Sequence, residues 1–245
     1  MRHLARRVLP QKVLNLLRTA ITARRTKRLQ RLSLPEAFDE VYRKKMWKQG
    51  DSLSGLGSEG ELAGQYLRFL ETYIDTHNIK SIVDAGCGDF TIGARICAQV
   101  QSYVGLDVSG LIIERNKRAF GNLNNVSFAQ CDLTDTIFPQ ADLICIRQVL
   151  QHLSNAQIAL ILSNLQSSAG WKRVLITEEV SNTSDDSRAN QDLATHTVDT
   201  RVSHGGGVFV DRPPFNMAAR RVKSIEAPTG ARGGLTHLLI FEIAR

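Results

Sequence analysis

A doubly wound α/β domain is the fold this sequence predicts, and three observations carry that expectation. Between Ser81 and Thr177, short apolar runs of strand character alternate with segments of helical period. The stretch Asp84-Ala-Gly86-Cys-Gly88-Asp89-Phe90 joins the first of those runs to a helix. Acids stand at the ends of three successive runs: Asp84, Asp107 and Asp132. Strands joined through helices lie parallel, in a sheet covered on both faces.

The elements follow in order. Residues 1–35 contain no acid, and Leu14, Leu17 and Ile21 recur at helical spacing among Arg18, Arg24 and Arg25. That pattern suits a basic amphipathic helix on an anionic membrane surface, a transit peptide, a phosphate-binding arm, or a solvated basic cap on the domain. Pro35 is expected to end this segment, with a mixed stretch through Trp47 after it. Residues 50–60 are rich in Gly and Ser and read as a loop. Ser58 with Glu61 reads as a capping box, opening a helix with Leu62, Tyr66, Phe69, Leu70 and Tyr73 on one face.

Strands are expected at 81–84, 102–107, 126–131, 142–146 and 174–177. The run Asp142-Leu-Ile-Cys-Ile146 is almost continuously apolar, as in a strand buried on both faces. The intervening helices are read at 91–100, from the Ser109 cap to about Gly121, and from the Ser154/Gln157 capping box through Ile158, Ile161, Leu162 and Leu165. About forty residues rich in Ser, Asn, Asp and Gly follow, a length that in a compact domain is usually functional. Val222 to Ala227 and Leu235 to Ile243, joined by the turn-rich 228–234, suit an antiparallel pair at the sheet edge.

The 245 residues are 42% hydrophobic and 22% charged, which excludes a disordered, collagenous or disulfide-stapled chain. The net charge of +7 is unevenly placed. Residues 1–50 hold 14 Lys/Arg against 3 Asp/Glu, or +11, and residues 51–245 hold 17 against 21, or −4. We therefore read residues 1–50 as a basic helical extension and 51–245 as the domain. Because the basicity belongs to the extension, it argues against nucleic acid as the partner of the domain. Cys87, Cys97, Cys131 and Cys145 form no C-x-x-C pair and no zinc spacing, so reduced thiols and no metal are expected. No apolar run has the length of a membrane span and none resembles a signal peptide. A cytoplasmic location follows as an expectation, with residues 1–35 able to touch the inner face of a membrane.

The Asp84–Phe90 stretch carries the chemistry. Glycines just past a strand let a ligand approach the backbone closely. The dinucleotide fingerprint G-x-G-x-x-G would need glycine where Thr91 stands, and the acid before the glycines suits a cationic amino group better than a pyrophosphate. Asp107, 21 residues after Gly86, is placed to reach ribose hydroxyls, and Asp132 an adenine amino group. Taken singly, each acid is an ordinary strand-end residue. Together they describe a ligand with an amino acid at one end, ribose in the middle and adenine at the other.

Here the sequence resembles the class I S-adenosylmethionine-dependent methyltransferases. Val83–Phe90 is similar to their glycine-rich motif, and Gly105-Leu-Asp107-Val-Ser109 to the ribose-binding one. Cys131-Asp132-Leu133 is similar to the adenine-proximal motif, and Ala141–Leu153, with Arg147, Gln148, Gln151 and His152, to the strand-four motif bordering the acceptor. The resemblance covers about residues 58–180 and the closing strand pair. It implies a Rossmann-like seven-stranded, mostly parallel sheet with an antiparallel last strand. It also implies S-adenosyl-L-methionine as cofactor, with Asp84, Gly86, Cys87, Gly88, Asp107, Val108, Asp132, Leu133 and Arg147 as its binding set.

The sequence departs from the family in one clear place: Phe90 stands at its usual third glycine, where it is expected to shape the pocket edge without abolishing binding. Pro213-Pro214-Phe215 looks like a motif of base-directed relatives, but it follows the fifth strand and is preceded by Arg212, so it is not carried over. More loosely, Trp47, Ser54–Ser58 and Gly206–Asn216 resemble bacterial members acting on sugars or other small molecules.

The expected function is thus methyl transfer to a hydroxyl or amine of a small-molecule or glycan-like acceptor. The alternatives are an RNA methyltransferase using the basic arm and a non-catalytic protein binding cofactor or membrane. His152, after the fourth strand, is the expected general base, against a simple packing role. Gln148, Gln151, His204 and Arg212 are expected acceptor contacts, against satisfaction of loop backbone or, for the last two, a solvated loop. His196 and Asp211 share the late segment and that same choice.

Overall fold

The computed structural model describes residues 26–48, 50–181, 188–204, 206–229 and 234–245. Residues 1–25, and with them most of the basic arm, lie outside the described residues.

Seven strands form one sheet: β1 (Ser81–Ala85), β2 (Ser102–Asp107), β3 (Val126–Gln130), β4 (Ala141–Arg147), β5 (Trp171–Val180), β6 (Arg220–Thr229) and β7 (Gly234–Ala244). Their order is β3-β2-β1-β4-β5-β7-β6. The first five pair in parallel, while β7 runs antiparallel between β5 and β6. The sheet reverses its order between β1 and β4, and the carboxyl ends flanking such a reversal form a crevice for ligands.

Side chains alternate across the pleat, so each inner strand feeds two cores. Ile82, Leu143, Cys145 and Leu175 face one cluster with Tyr66, Leu70, Ile112 and Ile113. Val83, Ile144, Ile146, Val174 and Ile176 face the other with Ile158, Ile161, Leu162 and Leu165. Each of these side chains is almost wholly buried, and burial of one such aliphatic group contributes about 1.5–3 kcal/mol.

The helices are α1 (Leu34–Arg43), α2 (Gly60–Thr76), α3 (Gly93–Ile96), α4 (Gly110–Phe120) and α5 (Asn155–Ser167). Ser109 caps α4 through the Ile112 amide, and Ser154 with Gln157 forms the capping box of α5, both as expected.

Three local expectations fail for identifiable reasons. Pro35 does not end a segment; it sits in the first turn of α1, where a missing N–H costs nothing. Ser33 and Glu36 form the capping box there. Ser58 does not cap α2, because it belongs to a 3-10 turn (Leu56–Ser58), and Glu59 occupies the cap position. The Glu59 carboxylate instead folds the preceding loop back by accepting the Asp51 and Ser52 amides at 2.9 and 2.6 Å. The helix expected over 91–100 lasts only through α3 and passes into a 3-10 turn (Cys97–Gln99). Asn125 Nδ2 donates to the Cys97 and Val100 carbonyls at 2.7 and 2.9 Å, satisfying outside the helix groups that a longer helix would need.

Residues 26–48 pack onto the domain. Val41 is buried with Leu29 and Val198, and Tyr42 joins the first core. Asp39 Oδ1 accepts from the Leu111 amide (3.1 Å) and the Ser109 hydroxyl (2.5 Å), tying α1 to the start of α4. The late segment is also built in: Val208, Val210 and Met217 enter the second core, and Val198 packs under α1.

Candidate active site

The crevice at the carboxyl ends of β1, β2 and β4 opens into a cavity of about 470 Å³. Its lining includes all nine residues of the expected cofactor set, together with Gln148, Gln151 and His152. The glycine-rich loop forms its floor. Gly86 and Cys87 donate to the Leu106 carbonyl at 2.7 and 2.9 Å, which draws the loop against the end of β2. Gly86 has φ +91°, and a side chain there would put its Cβ 2.2 Å from Val149 Cγ2. Gly88 has φ +54°, and a Cβ there would lie 2.3 Å from Ser54 Oγ. Only glycine leaves this cradle open.

The acids anchor the loops as well as facing the cavity. Asp107 accepts the Gly88 amide (3.0 Å) and the Ser109 amide (2.9 Å), and Asp84 accepts the Tyr103 hydroxyl (2.7 Å). Burial pushes both carboxyls up to about 6, against the pull of those hydrogen bonds. Asp132 accepts the Thr134 amide and hydroxyl through one oxygen, at 2.9 and 2.7 Å.

Asp89 was not among the expected site residues, yet it joins two loops. It accepts the Ser52 hydroxyl (2.9 Å), the Leu53 amide and the Thr91 amide (3.2 Å), while its own amide donates to Ser54 Oγ at 2.9 Å. Burial alone would raise its carboxyl; these donors hold it below the ordinary value. The Gly/Ser loop at 50–60 thereby becomes a wall of the cavity.

Phe90 departs from its expected role. It is wholly buried with φ +65°, and its ring meets Tyr103, Phe120 and Phe128 edge to face at 5.4, 4.9 and 4.9 Å. Its backbone is left-handed, a conformation open to glycine without cost, and the ring turns into the core instead of the pocket edge.

Arg147 lies over the Tyr66 ring at 4.7 Å and donates to the Gly57 carbonyl. Its Nε is buried and lacks a partner within the protein. With Asp84 nearby on the same face, it supplies the cation opposite the anion that an amino-acid end of a ligand requires. The open glycine cradle and this orphaned donor fit S-adenosylmethionine. Among the described residues, no group of three or more His, Cys, Asp or Glu side chains is placed to hold a metal ion.

The other end of the cavity is aromatic. His152 is 8% exposed and stacks on Trp47 at 4.8 Å, with Phe38 edge-on at 6.2 Å. Its Nδ1 lies 3.3 Å from the Asp199 carbonyl, and its Nε2 is 3.5 Å from Gln151 Nε2. The Nδ1–H tautomer satisfies both contacts and leaves the Nε2 lone pair toward the amide donor. Burial pulls the ring down to about 4, below the near-neutral value a general base would favour. The Thr197 amide donates to the His152 carbonyl (2.8 Å), and Trp47 Nε1 to the Val198 carbonyl (3.0 Å). His152 thus carries the contacts that lay the 197–200 strip over the site.

Glu178 is the other residue that sequence reasoning missed. It is fully buried, and its carboxylate accepts the Val149, Leu150 and Gln151 amides at 3.1, 2.9 and 3.1 Å. It fixes the loop that carries Gln148, Gln151 and His152. Burial outweighs those donors and pushes its carboxyl up to about 8.

One expected acceptor contact is not brought to the site. Arg212 is absent from the cavity lining and sits over the Phe209 ring at 4.6 Å, on the side of the second core. The side chain of His204 lies outside the described residues. In the same segment, Asp211 pairs with Arg221 at 2.8 Å, and His196 is buried with Nε2 3.2 Å from the Leu29 carbonyl. Trp171 packs in the second core, its Nε1 donating to the Leu165 carbonyl at 2.8 Å.

Glycine cradle, acid-tipped strands and a β7 inserted between β5 and β6 define a class I methyltransferase fold, and the comparisons agree. Residues 83–169 match the family described as a methyltransferase domain. No curated protein matches the sequence significantly. N-methyltransferase NodS from Bradyrhizobium japonicum WM9, solved with S-adenosyl-L-homocysteine, superposes with a TM-score of 0.57 at 14% identity, over 82% of this chain and 97% of that one. Magnesium protoporphyrin IX methyltransferase (ChlM) from Synechocystis PCC 6803, also with S-adenosyl-L-homocysteine, gives 0.55 at 12%, over 86% and 98%. The methyltransferase domain of bacterial CtHen1 gives 0.52 at 18%, over 75% and 100%. Residues 83–169 thus match a methyltransferase domain, and the described chain has the fold of these methyltransferases, two of them solved with S-adenosyl-L-homocysteine.

Proposed function

We propose that the protein transfers a methyl group to a hydroxyl or amine of a small-molecule or glycan-like acceptor. The observation that carries this reading is the walled far end of the cavity, closed by Trp47, Phe38 and His152 and covered by the 197–200 strip. A volume of that size suits a small ligand beside a cofactor. Two structural neighbours support it by name: NodS is an N-methyltransferase, and ChlM acts on magnesium protoporphyrin IX.

When bound, S-adenosylmethionine would supply an electrophilic sulfonium methyl group. Asp84 and Arg147 would hold its amino-acid end, Asp107 the ribose and Asp132 the adenine edge. Gln151 and Gln148 orient the acceptor, and His152, neutral at physiological pH, accepts its proton at Nε2 once the Gln151 amide turns from that atom to the acceptor. Most of the acceleration is positional, since alignment of two bound reactants can supply several kcal/mol. The enzyme would be cytoplasmic, with the basic arm in peripheral contact with an anionic membrane surface.

Calorimetric titration with S-adenosylmethionine and S-adenosylhomocysteine tests the core of the proposal. Wild type is expected to bind both, and Asp107→Ala to bind at least tenfold more weakly. Absence of binding by wild type at high micromolar cofactor would refute it. A methyl-transfer screen of sugars, phenols, amines and RNA then identifies the acceptor class.

A further inference from the structure

The cavity lining carries two acids with no assigned task. Glu179, near the end of β5, and Asp199, in the covering strip, both line it. Glu179 projects from the opposite face of the strand to Glu178, which is occupied by three backbone amides. Glu179 has the Thr236 hydroxyl as partner, and burial raises its carboxyl. Asp199 accepts from the Thr26 hydroxyl through one oxygen, at 3.3 Å.

An independent observation points the same way. Gln151 is 3% exposed and lines the cavity. Its amide nitrogen is engaged by the Gln148 carbonyl (3.3 Å) and by His152 (3.5 Å), whereas its Oε1 is buried without a partner in the protein. A buried amide oxygen left in that state calls for a donor from a ligand. Arg147, the arginine of the lining, is drawn away to Tyr66 and the Gly57 carbonyl.

From this geometry we infer that the acceptor is a small amine, bound through its N–H groups by the Glu179 and Asp199 carboxylates and the Gln151 amide oxygen, and that an ammonium gives one proton to a carboxylate before the nitrogen lone pair bonds to the methyl carbon. The inference rests on the methyltransferase reading and narrows its acceptor from hydroxyl or amine to amine. An anionic acceptor would meet two like charges in a desolvated chamber, which is how a site rejects the wrong ligand. A neutral alcohol satisfies Gln151 but leaves the carboxylates uncompensated.

The test uses the full chain saturated with S-adenosylhomocysteine, whose binding is measured first. If the product does not bind, the methyltransferase reading fails, and it fails before any acceptor probe is added. Ligand-observed NMR then compares matched probes: benzylamine, benzyl alcohol and benzoate, and glucosamine, glucose and glucuronate. The amines are expected to bind at least tenfold more tightly than their alcohol or carboxylate partners. Glu179→Gln and, separately, Asp199→Asn should weaken amine binding at least fivefold while leaving S-adenosylhomocysteine affinity within twofold. Retained product binding also shows that each variant is folded. Equal binding of alcohols or carboxylates, no amine binding to the saturated complex, or amine binding unchanged in both variants would each overturn the inference.

Discussion

Asp84 and Asp107 are held as buried carboxyls at about 6, above the 3.8 of an unstrained aspartate. For a carboxyl raised in this way, the stability it contributes is full below its unfolded value and is lost as pH rises through about 6. The ligand-free protein therefore carries two reluctant anions at neutral pH, and a cationic amino group and ribose hydroxyls relieve them. S-adenosylhomocysteine should bind more weakly as pH falls, by about tenfold per carboxylate one unit below its pKa. Calorimetry between about pH 5 and 7.5 reads this directly, with proton release near pH 6. His152 titrates at about 4, so it should contribute no break between pH 6 and 8 in kcat/KM. His152→Ala is expected to lower kcat/KM by about 10²–10⁴ while cofactor affinity stays within about twofold. Turnover unchanged in that variant would leave His152 as packing under the 197–200 strip.

At the scale of elements, the loops around the site are set by buried side chains that no local pattern announces. Phe90 holds a left-handed backbone, a conformation that costs a non-glycine residue about 1–2 kcal/mol. Phe90→Gly relieves that cost but empties a site enclosed by three aromatic rings, a loss of about 3–5 kcal/mol. The net expectation is a destabilisation of about 1–4 kcal/mol in denaturant unfolding. An unchanged or raised midpoint would mean that the ring contributes little. Glu178→Gln keeps the shape but turns an amide N–H₂ toward backbone donors, leaving at least one of the 149–151 amides unpaired. About 1–3 kcal/mol should be lost, with acceptor turnover falling more than cofactor affinity. The Ser33/Glu36 box is an S-x-x-E pattern ahead of a helix, which the reading of Pro35 as a stop passed over although proline also suits a helix's first turn. The shortness of α3 was not legible in the sequence, because its cause is Asn125, distant in sequence and adjacent only in the fold.

On the scale of the whole molecule, the charge divides the chain differently from the packing. The basic excess lies in residues 1–50, but residues 26–48 contribute Phe38, Tyr42 and Trp47 to the cavity wall. Deleting residues 1–25 should leave product binding and turnover within about twofold and reduce co-sedimentation with anionic liposomes, a loss of about 1 kcal/mol for each basic residue at the surface. Deleting residues 1–48 removes that wall together with the Asp39 contact to α4. Acceptor turnover should then disappear and the melting temperature fall. Co-sedimentation unchanged by the shorter deletion would count against membrane contact through the arm.

Much of this was written in the chain itself. Alternating apolar runs determined the parallel sheet, because a strand buried on both faces must be apolar throughout. The spacing of Asp84, Gly86, Gly88, Asp107 and Asp132 determined where the ligand crevice lies, because each sits within a few residues of a strand end and the sheet brings those ends together. The acceptor end was decided only in three dimensions. Its walls come from α1, the loop after β4, the end of β5 and the strip near residue 199, segments far apart in the sequence. Burial, which no single stretch encodes, makes His152 neutral, leaves Gln151 Oε1 without a partner and turns Glu178 into the anchor of a loop.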